Sequence, residues 1–275
     1  MSLPFLKLGL GAGGIKGILH IGALMELQKH QSLVFPKGVY GASIGSIIAT
    51  YIAFGLPVND DIVVLMKKYL SFNKIIPKLT FKDVSSIFAE KGMFPMTMFE
   101  KCVTDMFLEA GLDIRNKTLG DAQMPLYIVA SNVTTGTPCI FSRNVSVLDA
   151  LRCSCCIPGV FKPQELYGKL YVDGELLSPC LGPIVGNGLT FSLSNASDIR
   201  MYPKNMNTIN PLHYMRNLYR MSMHQLHEHQ KTDLTLCLKY PNLNSDSDLE
   251  DMDLRPILES SGKQLDNFLR TKGFC

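Results

Sequence analysis

The stretch Gly38-Val39-Tyr40-Gly41-Ala42-Ser43-Ile44-Gly45-Ser46, continuing through the apolar residues 47–54, decides how this chain is read. Its centre spells G-x-S-x-G between a short apolar run and a helix-like one. A sharp strand-to-helix turn lifts a serine hydroxyl out of the backbone, and Gly41 and Gly45 let the chain pass closely beneath it. The helix beginning there favours negative charge near the hydroxyl. Ser43 is therefore a candidate nucleophile, and a plain glycine-rich turn is the competing reading. Its surroundings decide between them.

Before this stretch, residues 5–10 read as a buried central strand, residues 11–17 as a glycine-rich turn and residues 18–28 as a helix with a broad apolar face. Residues 37–40 form a second strand and residues 43–54 a second helix. Strand and helix in alternation predict a parallel sheet with crossover helices. From residue 59 to 112 the pattern changes to helical segments at 62–70, 84–89 and 96–109, rich in Met, Phe and Lys. This insert reads either as a helical layer with a solvated basic face or as a cap that touches a lipid surface. Sheet character returns at 126–130, 139–142, 169–172, 189–193 and 234–238. Helices are expected at 147–155, 211–230 and 255–272, and a polar loop at 242–253.

Composition narrows the class. With 275 residues, 46% hydrophobic, the chain can bury one large core. A formal charge of +3 without an aromatic-interleaved basic stripe argues against a nucleic-acid partner. The N-terminus lacks the basic start and apolar run of a signal peptide. The longest uncharged stretch, 38–59, contains Gly41, Gly45, Gly55 and Pro57, and so reads as a strand, turn and helix rather than a membrane span. Eight cysteines scattered over this length look like small apolar residues in a reducing compartment. Cys153 and Cys156 form a C-x-x-C with no second pair at zinc spacing, so no metal site is expected. The expectation is a soluble cytoplasmic protein, with peripheral membrane contact left open.

The loop Gly11-Ala12-Gly13-Gly14-Ile15-Lys16-Gly17 sits between the first strand and helix. Unpaired amides at a helix start, flanked by glycines, can receive an oxyanion closely. Gly9-x-Gly11-x-x-Gly14 also fits a dinucleotide fingerprint, but that motif wants a carboxylate where this chain has Tyr40-Gly41. A phosphate P-loop fails because Lys16 is followed by Gly17 rather than by Ser or Thr. No organic cofactor is implied.

Glycine loop, G-x-S-x-G and a later Asp173-Gly174 together resemble the patatin-like phospholipase family, lipid acyl hydrolases related to the cytosolic phospholipases. The family's G-G-G-x-[K/R]-G loop reads Ala12-Gly13-Gly14-Ile15-Lys16-Gly17 here, and its R-x-S-x-x-x-P-x-x-F segment resembles the run from Arg152 to Phe161. Glu175 stands where the family has a small residue, placing a second carboxylate near Asp173, and Ser178-Pro179 replaces a frequent Asn-Pro. The resemblance implies a three-layer α/β sandwich whose mostly parallel central sheet carries helices on both faces. Residues 5–195 would form the catalytic core, with the insert at 59–112, and residues 196–275 would complete the same domain. It further implies a Ser43–Asp173 dyad cleaving carboxylic esters of phospholipids or other acyl lipids. Amides of Gly13 and Gly14 would hold the oxyanion, with Ala12 or Lys16 contributing, supported by Gly17, Gly41, Gly45 and Gly174.

Two other readings stand beside it: a same-fold esterase or acyltransferase acting on neutral lipids, and a catalytically silent lipid-binding protein. A Ser-Asp-His triad is disfavoured. Ser43 follows only the second strand, and of the histidines after Asp173 (His213, His224, His227 and His229) the last three lie in a polar stretch that reads as an exposed helix face.

Overall fold

The computed structural model describes residues 5–76, 89–193, 211–241, 243, 249 and 252–274. The expected helical segment at 84–89 and the polar loop at 242–253 fall largely outside these residues.

The first strand, β1 (Leu8–Leu10), is buried at every position, as befits the middle of a parallel sheet. Parallel neighbours β2 (Val39–Ala42) and β9 (Leu189–Leu193) flank it; β4 (Leu126–Asn132) lies beyond β2, and β10 (Thr235–Leu238) beyond β9. Three antiparallel strands, β5 (Thr137–Phe141), β7 (Gln164–Leu166) and β8 (Lys169–Val172), finish the β4 side. The result is an eight-stranded sheet in the order β10-β9-β1-β2-β4-β8-β7, with β5 also paired to β4.

Alternation along the strands sorts residues between two faces. Leu126, Ile128 and Ala130 enter the main core, shared with Ile21 of α1 (Ile18–Leu27), Ile48 of α2 (Ile44–Ala53) and Leu265 of the closing helix (Arg255–Thr271). The closing helix packs so tightly on α1 that a Cβ on Gly22 would lie 2.1 Å from Ser261 Oγ. Val129 belongs to a separate cluster with Ala12, Ala42, Leu181 and Val185, which the short helix Gly182–Val185 covers. The helix Pro211–His229 is tied to that second face where His227 Nε2 meets Ser192 Oγ at 2.5 Å. Helices therefore flank both faces of the sheet.

The segment between β2 and β4 supplies α3 (Asp60–Tyr69), α4 (Phe72–Ile75) and α5 (Thr97–Glu109). Asn59 caps α3 by accepting from the Asp61 amide at 3.0 Å, and Asp60 and Asp61 suit its positive N-terminus. Both α3 and α4 pack on α5. A small second sheet, β3 (Gly92–Phe94) with β6 (Gly159–Phe161), was not anticipated from the sequence. Its three-residue strands carry no period, and Pro158-Gly159 reads as a chain break. Among the described residues no helix is long and apolar enough to cross a membrane.

One feature of the topology positions the site. Val129 pairs with both Ala42 and Ile140, and Asn132 with both Thr137 and Tyr171. Strand β5 occupies one edge of β4, so β2 and β8 share the other. One of these runs parallel and the other antiparallel to β4, so their C-terminal ends point at each other. The residues that follow them are Ser43 and Asp173.

Candidate active site

Ser43 leaves β2 with φ 51° and ψ −126°, a sparsely populated backbone state for a residue with a side chain. Neighbouring glycines hold it there. A Cβ on Gly41 would lie 2.4 Å from the Gly45 carbonyl oxygen, and one on Gly45 would lie 2.0 Å from that of Leu10. The turn is thus pressed against both its own helix and the end of β1.

Hydrogen bonds complete the clamp. Ser43 N–H donates to Ser154 Oγ at 2.9 Å, and that hydroxyl donates to the Val129 carbonyl at 2.7 Å. Ser46 holds the Ser43 carbonyl through both its amide (2.8 Å) and its hydroxyl (2.5 Å). Ser154 is fully buried on α6 (Val147–Ser154), within the run that resembles the family's R-x-S segment. Its clamping part was not read from the sequence; only the motif marked it. Ser154→Ala would leave a buried amide and a buried carbonyl without this partner. We expect it to cost about 1–3 kcal/mol of stability, read as a lowered Tm. An unchanged Tm would mean that the clamp carries no weight.

Asp173 is almost fully buried at the end of β8. Its Oδ1 accepts from the Glu175 amide at 2.9 Å, and its own amide donates to the Cys156 carbonyl at 2.8 Å. Ser131 Oγ donates to the Asp173 carbonyl (2.8 Å) and accepts from the Leu177 amide (3.1 Å), fixing the turn. The Ser178 amide donates to the Gly174 carbonyl at 3.0 Å, so the backbone supports the turn despite Ser in place of the family's Asn. Gly174 admits no side chain: its Cβ would lie 2.4 Å from the Val129 carbonyl oxygen.

Burial pushes the Asp173 carboxyl up to about 7, and the charge of Glu175 adds to this. The Ser43 hydroxyl and the Glu175 amide act in the opposite sense. Oδ2 is buried, with no partner in hydrogen-bond geometry among the described residues. The Ser43 hydroxyl acts on this carboxyl without meeting full hydrogen-bond geometry, an arrangement that commonly tightens when substrate binds. Cys155 lies beside Asp173 and contacts Ser46 Oγ at 3.6 Å. Burial holds its thiol well above the ordinary range, so it is no competing nucleophile.

Of the four residues expected around an oxyanion, Gly13 and Gly14 border the same cavity as Ser43 and Asp173. Neither of their amides donates a hydrogen bond among the described residues. A side chain on Gly13 would crowd Leu193, its Cβ falling 2.9 Å from Leu193 Cβ, and Gly14 has φ 57°. Ala12 is not among the residues of positive φ, and its methyl packs away from the cavity with Ala42 and Val129. The Lys16 amide is already engaged, donating to the Gly13 carbonyl at 3.3 Å, and its side chain ends in an ammonium. That ammonium is buried, which lowers it to about 8 against the raising charge of Glu175. Gly17 lets the loop press on the serine helix, its Cβ position lying 2.3 Å from Ile44 Cγ1.

No described histidine reaches Ser43. His227 is buried on Ser192 rather than exposed as its polar neighbours suggested, while His224 and His229 are exposed. His20, also fully buried, bonds the Gly11 carbonyl through Nε2 at 2.9 Å.

The cavity has a volume of about 350 Å³. Ser43, Asp173, Glu175 and the glycine loop border it, and the rest of its described lining is mainly apolar. An α/β sheet carrying a G-x-S-x-G turn beside a buried carboxylate and a glycine loop defines the class. The chain belongs to the patatin-like phospholipase family, whose model matches residues 8–181.

An NTE family protein of Mycobacterium tuberculosis (strain ATCC 25618 / H37Rv) is 28% identical over 187 residues, 67% of this chain and 47% of the relative. YqhO of Bacillus subtilis (strain 168) is 29% identical over 186 residues, covering 60% of this chain and 62% of the relative. A cUMP-AMP-activated phospholipase of Escherichia coli is 25% identical over 209 residues, 69% of this chain and 58% of the relative. The chain thus spans about half the length of the mycobacterial relative. Among solved structures, VipD from Legionella pneumophila is similar in fold, with a TM-score of 0.51 at 15% identity over 98% of this chain and 68% of that one.

Proposed function

We propose that this chain is a lipid acyl hydrolase that cleaves carboxylic ester bonds of phospholipids through Ser43 and Asp173. The observation that carries the reading is the head-to-head meeting of β2 and β8, which brings a strained serine and a buried carboxylate to one end of an apolar cavity. Family membership supports the lipid substrate.

Ser43 Oγ attacks the acyl carbonyl carbon as Asp173 takes its proton. Negative charge gathers on the carbonyl oxygen, where the Gly13 and Gly14 amides and the nearby helix start stabilise it, each donor being worth about 3–4 kcal/mol. Collapse of the intermediate expels the alcohol, which takes the proton from Asp173 and leaves an acyl-Ser43 ester. Water then attacks, passing its proton to Asp173, and the fatty acid departs as Ser43 recovers a proton. A carboxyl near 7 is better matched to both transfers than an ordinary one.

Asp173 must be ionised to act, so kcat/KM is expected to rise as pH increases through about 7. Removing the neighbouring charge with Glu175→Gln eases that ionisation and moves the midpoint to lower pH. A pH–rate profile with the same midpoint in both proteins would exclude Asp173 as the group observed. The reading itself is tested by release of fatty acid from phospholipid vesicles. Release by the wild type and none by Ser43→Ala is the expected result, and no release by folded wild type would favour a silent lipid-binding protein.

A further inference from the structure

We infer that the cavity is a ruler for the one acyl chain being cleaved, with Ile47, Leu70 and Phe99 setting how long that chain can be. The inference rests on the hydrolase reading above and adds to it the feature of the substrate that is selected.

Direction comes first. Ile44 and Ile47 line the cavity from α2, whose N-terminus is the serine turn. Ile47 stands about one helical turn beyond Ser43, so the apolar wall leads away from the reacting atoms along that helix. Leu70, just past α3, and Phe99, in the first turn of α5, continue the lining. Ile47, Leu70 and Phe99 are only 3%, 4% and 3% exposed, so the wall they form is turned from solvent, and the ruler has its closed end there. Ile157 and Tyr219, which also line the cavity, are 38% and 46% exposed and mark the mouth.

The closed end is built from a rigid unit. Because α3 and α4 both pack on α5, Leu70 and Phe99 belong to one packed layer rather than to separate loops. The serine end is acidic, since Asp173 and Glu175 both border it, whereas the far walls offer only hydrocarbon. An extended alkyl chain esterified at Ser43 fits this division, with its alcohol leaving toward the mouth.

Size sets the expected limit. At about 30 Å³ for each unit the size of a water molecule, a cavity of about 350 Å³, mouth included, holds at most on the order of ten methylene-sized groups. Each methylene moved from water into an apolar wall improves kcat/KM about fourfold, until the closed end is reached.

The test is kcat/KM for 4-nitrophenyl esters of two to sixteen carbons, presented in detergent mixed micelles of fixed composition. A steep rise ending in a break at or below about ten carbons is expected. Phe99→Leu enlarges the closed end and should move the break to longer chains; Leu70→Phe fills it and should move the break to shorter ones. Opposite shifts in two folded variants support the ruler. A break at one length in all three proteins, or no dependence on chain length, overturns it while leaving the hydrolase reading intact. Failure to hydrolyse any ester, together with no labelling of Ser43 by an alkyl fluorophosphonate, would overturn the hydrolase reading and the ruler with it.

Discussion

Asp173→Asn is expected to lower kcat by roughly a thousand- to ten-thousandfold while leaving the protein folded. Asparagine keeps the carbonyl oxygen that accepts the Glu175 amide, and the backbone bonds to Cys156 and Ser131 do not involve the side chain. What is lost is an acceptor for the serine proton. Stability should change in the opposite sense. Burial raises the Asp173 carboxyl from 3.8 to about 7. Its contribution to stability is therefore full below 3.8 and lost as pH rises to 7, a total of roughly 4 kcal/mol. The asparagine variant, having nothing to ionise, should gain in Tm relative to wild type over that range. A variant that lost both activity and fold would instead mark Asp173 as a structural residue.

The second large effect is expected from Gly45→Ala. The added methyl would lie 2.0 Å from the Leu10 carbonyl oxygen and 2.7 Å from that of Gly11, both backbone atoms with little freedom to move. Relief requires α2 to lift off β1. We expect a cost of about 3 kcal/mol or more in stability. In protein that still folds, an ångström of displacement at Ser43 should cost at least ~100-fold in kcat. Chemical denaturation with kcat measured on the folded fraction checks both. A near-normal variant would show that the elbow is looser than its contacts imply.

Much of this was legible in the sequence because it depends on local chemistry. Alternating apolar runs placed β1, α1, β2 and α2 to within a few residues of where they stand. The strands Lys169–Val172 and Leu189–Leu193 begin and end as expected. The serine turn was readable because only glycine fits at Gly41 and Gly45. Glu175, read in the sequence as a second carboxylate near Asp173, raises that carboxyl, although burial is the larger cause.

What was not legible depends on contacts between distant segments. No local pattern announces that Ser154 would join the Ser43 amide to Val129, 111 and 25 residues away along the chain. His227 sits among polar neighbours, yet the face it occupies turns inward onto Ser192. The reversed strand β8, which aims Asp173 at Ser43, is a matter of pairing on β4 rather than of composition. Met, Phe and Lys between β2 and β4 suggested a cap in general terms, but not that Leu70 and Phe99 would line the cavity.

The central claim is that Ser43 is a nucleophile activated by Asp173. The most direct measurement is intact-protein and peptide mass spectrometry after treatment with a fluorophosphonate. One adduct, located on Ser43, is expected in the wild type. It should be absent from Ser43→Ala, and it should form far more slowly in Asp173→Asn. Labelling elsewhere, or at an unchanged rate without the carboxylate, would contradict the dyad.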